Sequence, residues 1–192
     1  MAFSGGKAIR GPQSTGILCG RRNLIASAAL QMLDMDVAPE TWAPPESLIP
    51  RQDFHGIPHH GLGRGFKAGK EEIVGLIVAL QRYVRMDPHA ENMAWERQLA
   101  LIADGLTGET HLSLRALPAK ETGRFPLLEL TVSESALGRT VWDVSRELQC
   151  GDPPVHLNER RASEGILTVN PAALQDGDAE IIIARLKNIL RS

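Results

Sequence analysis

Lys7 stands in a glycine-rich segment whose residue types could do covalent chemistry, Ser4-Gly5-Gly6-Lys7. A lysine amine condenses with aldehydes when burial or a neighbouring cation favours its neutral form, and Arg10 is such a cation. Flanking glycines let the backbone approach a cofactor closely. The hydroxyl of Ser4 could reach a phosphate oxygen of that cofactor. On composition alone, a Gly-Gly-Lys loop near a terminus is more typical of a flexible solvated tail.

His55, His59 and His60 are close enough in sequence to suggest a metal site. Gly56 and Pro58 break any helix that would bring His55 and His59 onto one face. We therefore expect a solvated or substrate-facing loop here. His60 is the histidine to test, because it adjoins an arginine segment described below.

The other reactive side chains have plainer interpretations. Glu71 and Glu72 suit the positive end of a helix dipole better than acid-base catalysis. Cys19, in a predicted buried strand, is expected to be an inert small hydrophobe rather than a nucleophile. The tryptophans are expected to be core or interface anchors, namely Trp42, Trp95 and Trp142.

The elements that would position these residues are short at the start of the chain. Residues 1–14 predict a loop because they are rich in Gly, Ser, Pro and Gln, and the apolar run 15–19 predicts a buried strand. Apolar residues then recur at helical spacing from Leu24 to Met32. Five prolines between residues 34 and 65 exclude continuous helix or central strand, and so long a loop is usually functional or wraps a partner.

Two helices are predicted next. Gly69 can cap the first, whose apolar stripe runs from Ile73 to Val84. Asp87 and Pro88 are typical of an N-cap and a first helical position, so the second helix begins there. Its buried face is predicted from helical spacing to consist of Trp95, Leu99, Ile102 and Leu106.

The pattern changes near residue 108, where apolar and polar residues begin to alternate. The predicted elements, in order, are strands at 112–116 and 128–132, a capped helix from Thr140 to Gly151, strands at 155–157 and 166–169, and a helix after Asp176. This β-β-α-β-β-α order predicts a small α/β sandwich with a mostly antiparallel sheet and helices on one face.

Composition limits the classes of function. The 192 residues are 43% hydrophobic, which is typical of one or two globular domains. The net charge of -2 gives no general attraction to nucleic acid or to an anionic membrane. Two cysteines far apart in sequence favour a reducing cytoplasm. The N-terminus lacks the apolar core of a signal peptide, and the longest apolar run, 73–80, is too short to span a bilayer.

Four segments of the chain stand in an order that matches one enzyme family. They are Ser-Gly-Gly-Lys and Gly-Pro-Gln with the strand that follows, the run from His60 to Glu72, Gly151-Asp152-Pro153-Pro154, and the run from Asn170 to Asp178. Together they resemble selenocysteine-synthase-like pyridoxal-phosphate (PLP) enzymes, a group that includes bacterial seryl-tRNA selenium transferase and sugar-acid ammonia-lyases. The likeness is strongest over residues 3–86. Several separate motifs in one order are more specific than any one alone.

The resemblance implies roles for individual residues. Lys7 would be the Schiff-base lysine that later moves protons at the substrate α-carbon, and Ser4 would hold the phosphate of PLP. Arg64 resembles the family's anion-binding arginine, which would grip a substrate carboxylate or phosphate through its fork of donors. A loop arginine bonded to backbone carbonyls is an equal alternative for it. Further substrate-binding candidates are Arg10, Gln13 and His60.

The resemblance also implies a fold, the C-terminal part of a PLP-dependent transferase of the aminotransferase class I/V type. We expect the end of the large PLP-binding domain in residues 1–68, interdomain helices in 69–107 and a small α/β domain in 108–192. In the family most of the cofactor site precedes the lysine, whereas six residues precede Lys7 here. We therefore expect a truncated enzyme. The alternative is a non-catalytic remnant or split subunit that needs a partner chain supplying the rest of the site.

The expected function is that of a PLP-dependent lyase or transferase acting on a small amino-acid-like or amino-sugar-acid substrate. The expected partner is a second copy of the chain, in a dimer or larger assembly, or a complementary N-terminal chain. We expect no nucleic acid, no membrane and no metal, and a cytoplasmic location. A generic α/β interaction module without a cofactor is the remaining interpretation.

Overall fold

The computed structural model describes residues 1–33, 37–53, 56 and 61–191, and the chain divides into two units, Met1–Met86 and Asp87–Ser192. The elements of the first unit are strands β1 (Ala2–Ser4) and β2 (Gly16–Leu18), helices α1 (Arg22–Gln31) and α2 (Lys70–Arg85), and 3-10 turns at Pro39–Thr41, Arg51–Asp53 and Leu62–Phe66. Helix α1 confirms the helix predicted from Leu24.

Strands β1 and β2 form an antiparallel pair at the start of the chain. The predicted loop at residues 1–14 is therefore wrong over β1, whose three residues find partners in β2. The strand predicted at 15–19 is confirmed, but its predicted burial is wrong. Leu18 is 54% exposed and Cys19 is also exposed. Two strands alone bury little of their own surface, because covering it requires a third strand or a helix packed on the strand faces.

The proline-rich segment folds back on α1. Trp42 and Ile49 are buried there, with Ala29, Leu30, Leu33 and Leu48 packed against them. The Arg51 guanidinium donates hydrogen bonds to the carbonyls of Trp42, at 3.2 Å, and Pro39, at 2.5 Å. Trp42 is thus a core anchor, as predicted, within a segment that has no strand or α-helix of its own among its described residues.

Helix α2 begins after Gly69, as predicted, and carries Glu71 and Glu72 in its first turn. Its predicted apolar stripe is only partly buried, since Ile73 is 48% and Val84 72% exposed. Spacing predicts which residues share a face, but it does not provide a surface to cover that face. Among the described residues, no helix combines the length and apolar character that crossing a membrane requires.

The second unit contains longer helices and a three-stranded sheet. Its elements are α3 (Pro88–Leu106), β3 (Leu112–Leu117), α4 (Ala119–Thr122), β4 (Leu127–Val132), α5 (Glu134–Leu137), α6 (Val141–Cys150), β5 (Ile166–Val169) and α7 (Asp178–Leu190). The strands are antiparallel in the order β3-β4-β5, with Leu114 opposite Leu130 and Leu130 opposite Leu167. The predicted antiparallel α/β arrangement is confirmed here.

The core of this unit lies between the sheet and helices α3, α6 and α7. Its fully buried side chains include Ile102 on α3, Leu130 on β4, Leu148 on α6 and Ile189 on α7. The predicted face of α3 is confirmed at Leu99, Ile102 and Leu106. Trp95 is half-buried and meets Phe125 edge-to-face with ring centroids 5.9 Å apart. Trp142 is 46% exposed and so lies outside the core.

Side-chain caps fix two of the helix starts, as the sequence predicts. The Asp87 carboxylate accepts hydrogen bonds from the backbone amides of His89, at 2.9 Å, and Ala90, at 3.3 Å. Thr140 and Asp143 form a reciprocal capping box at the start of α6. The Thr140 hydroxyl and amide donate to Asp143, and these bonds hold the pKa of that carboxyl below its usual value.

The strand predicted at 155–157 is wrong. The amide of Val155 donates instead to the Leu148 carbonyl at 2.9 Å, which ties this segment to the end of α6. Pairing with β5 is limited to one bridge between Asn158 and Thr168. Pro153 and Pro154 precede the segment and have no amide hydrogen for a ladder.

Core packing gives a matched test on α3. Ile102 is fully buried, whereas its neighbour Leu101 is 46% exposed. We expect Ile102→Ala to lower the free energy of unfolding by about 2–5 kcal/mol, through lost burial and an internal cavity. Leu101→Ala is expected to change it by about 0.5 kcal/mol or less. Urea denaturation followed by circular dichroism measures both, and equal losses would contradict the core described above.

Candidate functional site

Lys7 lies in the loop of the β1–β2 hairpin and not in a free tail. The register pairs Ala2 with Leu18 and Ser4 with Gly16, so residues 5–15 form the connecting loop. Ser4 ends β1, and both Ser4 and Lys7 are exposed. The amine is therefore presented to solvent from a loop whose two ends are held by strand pairing.

Nested hydrogen bonds shape this loop. The Gly5 amide donates to the Thr15 carbonyl at 2.9 Å, and the Gly11 amide donates to the Gly5 carbonyl at 2.8 Å. Inside these, the Arg10 amide donates to the Lys7 carbonyl at 2.8 Å. The three bonds close successively shorter segments of chain. Lys7 begins the innermost turn, so its backbone position follows from the bonds that enclose it.

Two glycines are required by close packing of the loop on α2. A Cβ atom added to Gly5 would overlap the Thr15 hydroxyl and lie 2.8 Å from Leu76 Cδ1. A Cβ atom added to Gly75 on α2 would lie 2.9 Å from Pro12 Cγ. The sequence suggested that the glycines allow close approach to a cofactor. In the structure, Gly5 is buried against the protein's own Thr15 and Leu76.

Arg10 ends the innermost turn with a left-handed backbone, φ 60°. Few residues other than glycine adopt this region, and the hydrogen bond to Lys7 holds Arg10 there. Gln13 is exposed in the next turn, where its Cα would lie 2.6 Å from a Cβ on Gly6. Ser4, Lys7, Arg10 and Gln13 thus all lie on the hairpin, and their roles stay predictions.

Arg64 lies on a different element. The 3-10 turn Leu62–Phe66 contacts α1, and the Gly61 amide donates to the Leu33 carbonyl at 3.2 Å. The Arg64 side chain lies outside the described part of the structure, so its predicted contact with an anion stays a prediction. His60, His55 and His59 also lie outside the described residues. Among the residues that are described, no group of three His, Cys, Asp or Glu side chains could hold a metal ion.

Thr15 is the residue of this site that the sequence did not indicate. The sequence predicts only the start of a strand at this position, yet Thr15 is 8% exposed and its hydroxyl donates to the Pro12 carbonyl at 2.5 Å. A threonine before an apolar run carries no distinctive sequence signal. Its role depends on the return of the loop and on the presence of Leu76.

A Gly5→Ala substitution tests the close packing. The added methyl overlaps the Thr15 hydroxyl, so we expect a loss of about 1–3 kcal/mol in the free energy of unfolding and faster hydrogen exchange of the Gly11 amide. Gly65→Ala is the matched control, because a Cβ there meets no atom within 4 Å. Urea denaturation and amide exchange measured by mass spectrometry compare the two. Equal behaviour of the variants would contradict the packing of Gly5.

No protein-family profile matches the chain. The chain is 26% identical over 188 residues to D-glucosaminate-6-phosphate ammonia lyase of Salmonella typhimurium, covering 97% of this chain and 42% of that protein. It is 27% identical over 191 residues to 5'-C-glycyluridine monooxygenase-decarboxylase of a Streptomyces species, covering 98% of this chain and 40% of the relative. The chain therefore spans about two fifths of the length of these relatives.

A solved structure gives the same result for the fold. The structure of D-glucosaminate-6-phosphate ammonia-lyase matches with a TM-score of 0.64 and 23% identity, over 99% of this chain and 43% of that one. Both relatives are enzymes by name, and the match extends over nearly the whole chain. The predicted resemblance is thus confirmed: the chain is related, along nearly all of its length, to part of an ammonia lyase that acts on a phosphorylated amino-sugar acid.

Proposed function

We propose that this chain supplies the lysine segment of a PLP-dependent lyase or transferase acting on a small amino-acid-like or amino-sugar-acid substrate. The observation that carries the proposal is the exposed Lys7 amine, which begins the innermost turn of a hydrogen-bonded loop. The relationship to an ammonia lyase supports the reaction class. By the same resemblance we propose the PLP-dependent transferase fold and a cytoplasmic location.

The side chains of the hairpin fit one part of a PLP site. PLP supplies an aldehyde that condenses with amines and a ring that withdraws electrons from the carbon next to the substrate amine. A primary amine on a loop of fixed backbone is the group needed to hold the aldehyde carbon. Ser4, three residues away and exposed, carries a hydroxyl that can donate to a phosphate oxygen.

The roles of the remaining residues follow from their chemistry. Lys7 would hold the cofactor and would accept or return a proton at the substrate α-carbon. Arg64 and Arg10 would bind a carboxylate or phosphate of the substrate, since guanidinium groups match both anions. Gln13 has an amide that can donate to or accept from substrate hydroxyls, and His60 is a further candidate.

A second candidate function concerns partners. We propose that the chain acts in an assembly, with further copies of itself or with a polypeptide that corresponds to the part of the ammonia lyase it does not match. The exposed apolar side chains of the first unit favour the complementary polypeptide, namely Phe3, Leu18, Leu24, Ile73, Val74, Ile77, Val78 and Val84. Several large apolar side chains exposed on one unit are characteristic of a surface that another polypeptide covers.

Cofactor binding by Lys7 can be measured directly. We expect PLP added to the pure chain to give a new visible absorbance band and, after borohydride reduction, a cofactor adduct on the peptide that contains Lys7. Lys7→Ala should abolish both signals. Lys70→Ala, which removes another exposed lysine of the same unit, should leave them unchanged. A band and adduct that survive Lys7→Ala would remove Lys7 from the mechanism.

The complementary polypeptide is tested by reconstitution. The segment of the Salmonella enzyme that this chain does not match is co-expressed with it, and we expect a stable complex by size-exclusion chromatography and light scattering. A double substitution Ile77→Glu and Val84→Glu should weaken the complex at least tenfold, because it places charges on the apolar face. Ser163→Glu, at an exposed position of the second unit, is the control. A chain that binds PLP tightly alone and forms no complex would contradict this candidate.

A further inference from the structure

The Thr15 side chain lies at the point where the two ends of the lysine loop meet. Its hydroxyl donates to the Pro12 carbonyl at 2.5 Å, and its amide donates to the same oxygen at 3.2 Å. Its own carbonyl accepts the Gly5 amide at 2.9 Å. One residue therefore closes the turn at Pro12 and joins that turn to the strand end that precedes Lys7.

The Thr15 hydroxyl is also packed, which makes its hydrogen bond matter. Thr15 is 8% exposed, and Gly5 is buried beside it. Removing the hydroxyl would leave the carbonyl of the half-buried Pro12 with only the longer bond from the Thr15 amide, and losing a partly buried hydrogen bond lowers stability. By comparison, the Thr41 hydroxyl makes the same kind of bond, to the Ala38 carbonyl three residues back at 3.1 Å, but in an exposed turn.

Helix α2 also packs closely against the lysine loop. Leu76 Cδ1 would lie 2.8 Å from a Cβ on Gly5 and 3.2 Å from one on Gly11. Gly5 and Gly11 are joined to each other by the hydrogen bond that encloses Lys7. The loop is thus held between the Thr15 side chain and a leucine of α2.

We infer that Thr15 is a positioning residue for Lys7, which acts by fixing the loop so that the lysine amine meets the aldehyde of a cofactor in one geometry. This inference rests on the proposed function of Lys7. Thr15 itself would touch neither cofactor nor substrate. Its effect on reactivity would pass through Gly5 and the hydrogen bonds that join Gly5 to Thr15 and to Gly11.

The test uses the full chain and compares Thr15→Val, Thr15→Ser and Thr41→Val. PLP is the probe, trapped by borohydride at one fixed pH, and the amount of adduct on the Lys7 peptide is divided by the amount on the Lys70 peptide. Thr15→Val keeps the shape of the side chain but removes the hydroxyl, so we expect this ratio to fall about tenfold. Thr15→Ser, which keeps the hydroxyl, and Thr41→Val should retain the wild-type ratio.

Hydrogen exchange of the Gly5 and Gly11 amides separates this inference from the function it rests on. We expect Thr15→Val to raise both exchange rates about tenfold, with Thr15→Ser and Thr41→Val close to wild type. If Lys7 of the wild-type chain is labelled no more than Lys70, both the proposed function and the positioning role are overturned. Excess labelling that Thr15→Val leaves intact overturns the positioning role alone. If Thr15→Val does not fold, a folded Thr15→Ser chain is used in its place. Loss of the excess of Lys7 labelling over Lys70 labelling in that chain overturns the positioning role.

Discussion

The close approach of the Gly5 backbone to Thr15 and Leu76 is the contact on which the lysine loop depends. Three parts of the chain meet there, namely the end of a strand, the return of a loop and the middle of a helix. Well-packed interiors leave little free volume, so the backbone has few alternatives once these groups are in contact. The backbone position of Lys7 is therefore set by residues outside the proposed chemistry.

The two units are stabilised in different ways. The second unit has a continuous apolar core between its sheet and three helices, and side-chain caps at the starts of α3 and α6. A buried carboxylate on β4, Glu129, is paired with Arg161 and, at 3.8 Å, with Arg115. The pKa of Arg161 is raised because Glu164 and Glu129 accept its hydrogen bonds. The buried Glu129 carboxylate on the central strand thus has two arginine partners.

The first unit has a small core around Trp42 and Ile49 and leaves much of its apolar surface in solvent. Its hairpin and helix α2 are held by local hydrogen bonds and by a few close contacts. Covering apolar surface of this kind with another polypeptide lowers the free energy. The relatives are longer than the part that this chain matches.

The sequence by itself determined the local features. Capping residues and helical spacing fixed α2, α3, α6 and α7, because those signals act within a few residues. Ordered motifs gave the relationship that the comparisons confirmed. The tertiary structure decided what depends on distant neighbours. The predicted burial of β2 and of the α2 stripe was wrong because burial requires a covering surface. The predicted strand at 155–157 was wrong because pairing requires an available partner. Only the tertiary structure explains why position 5 requires a glycine and why Thr15 matters, because both depend on the contacts among the loop, the strand end and Leu76.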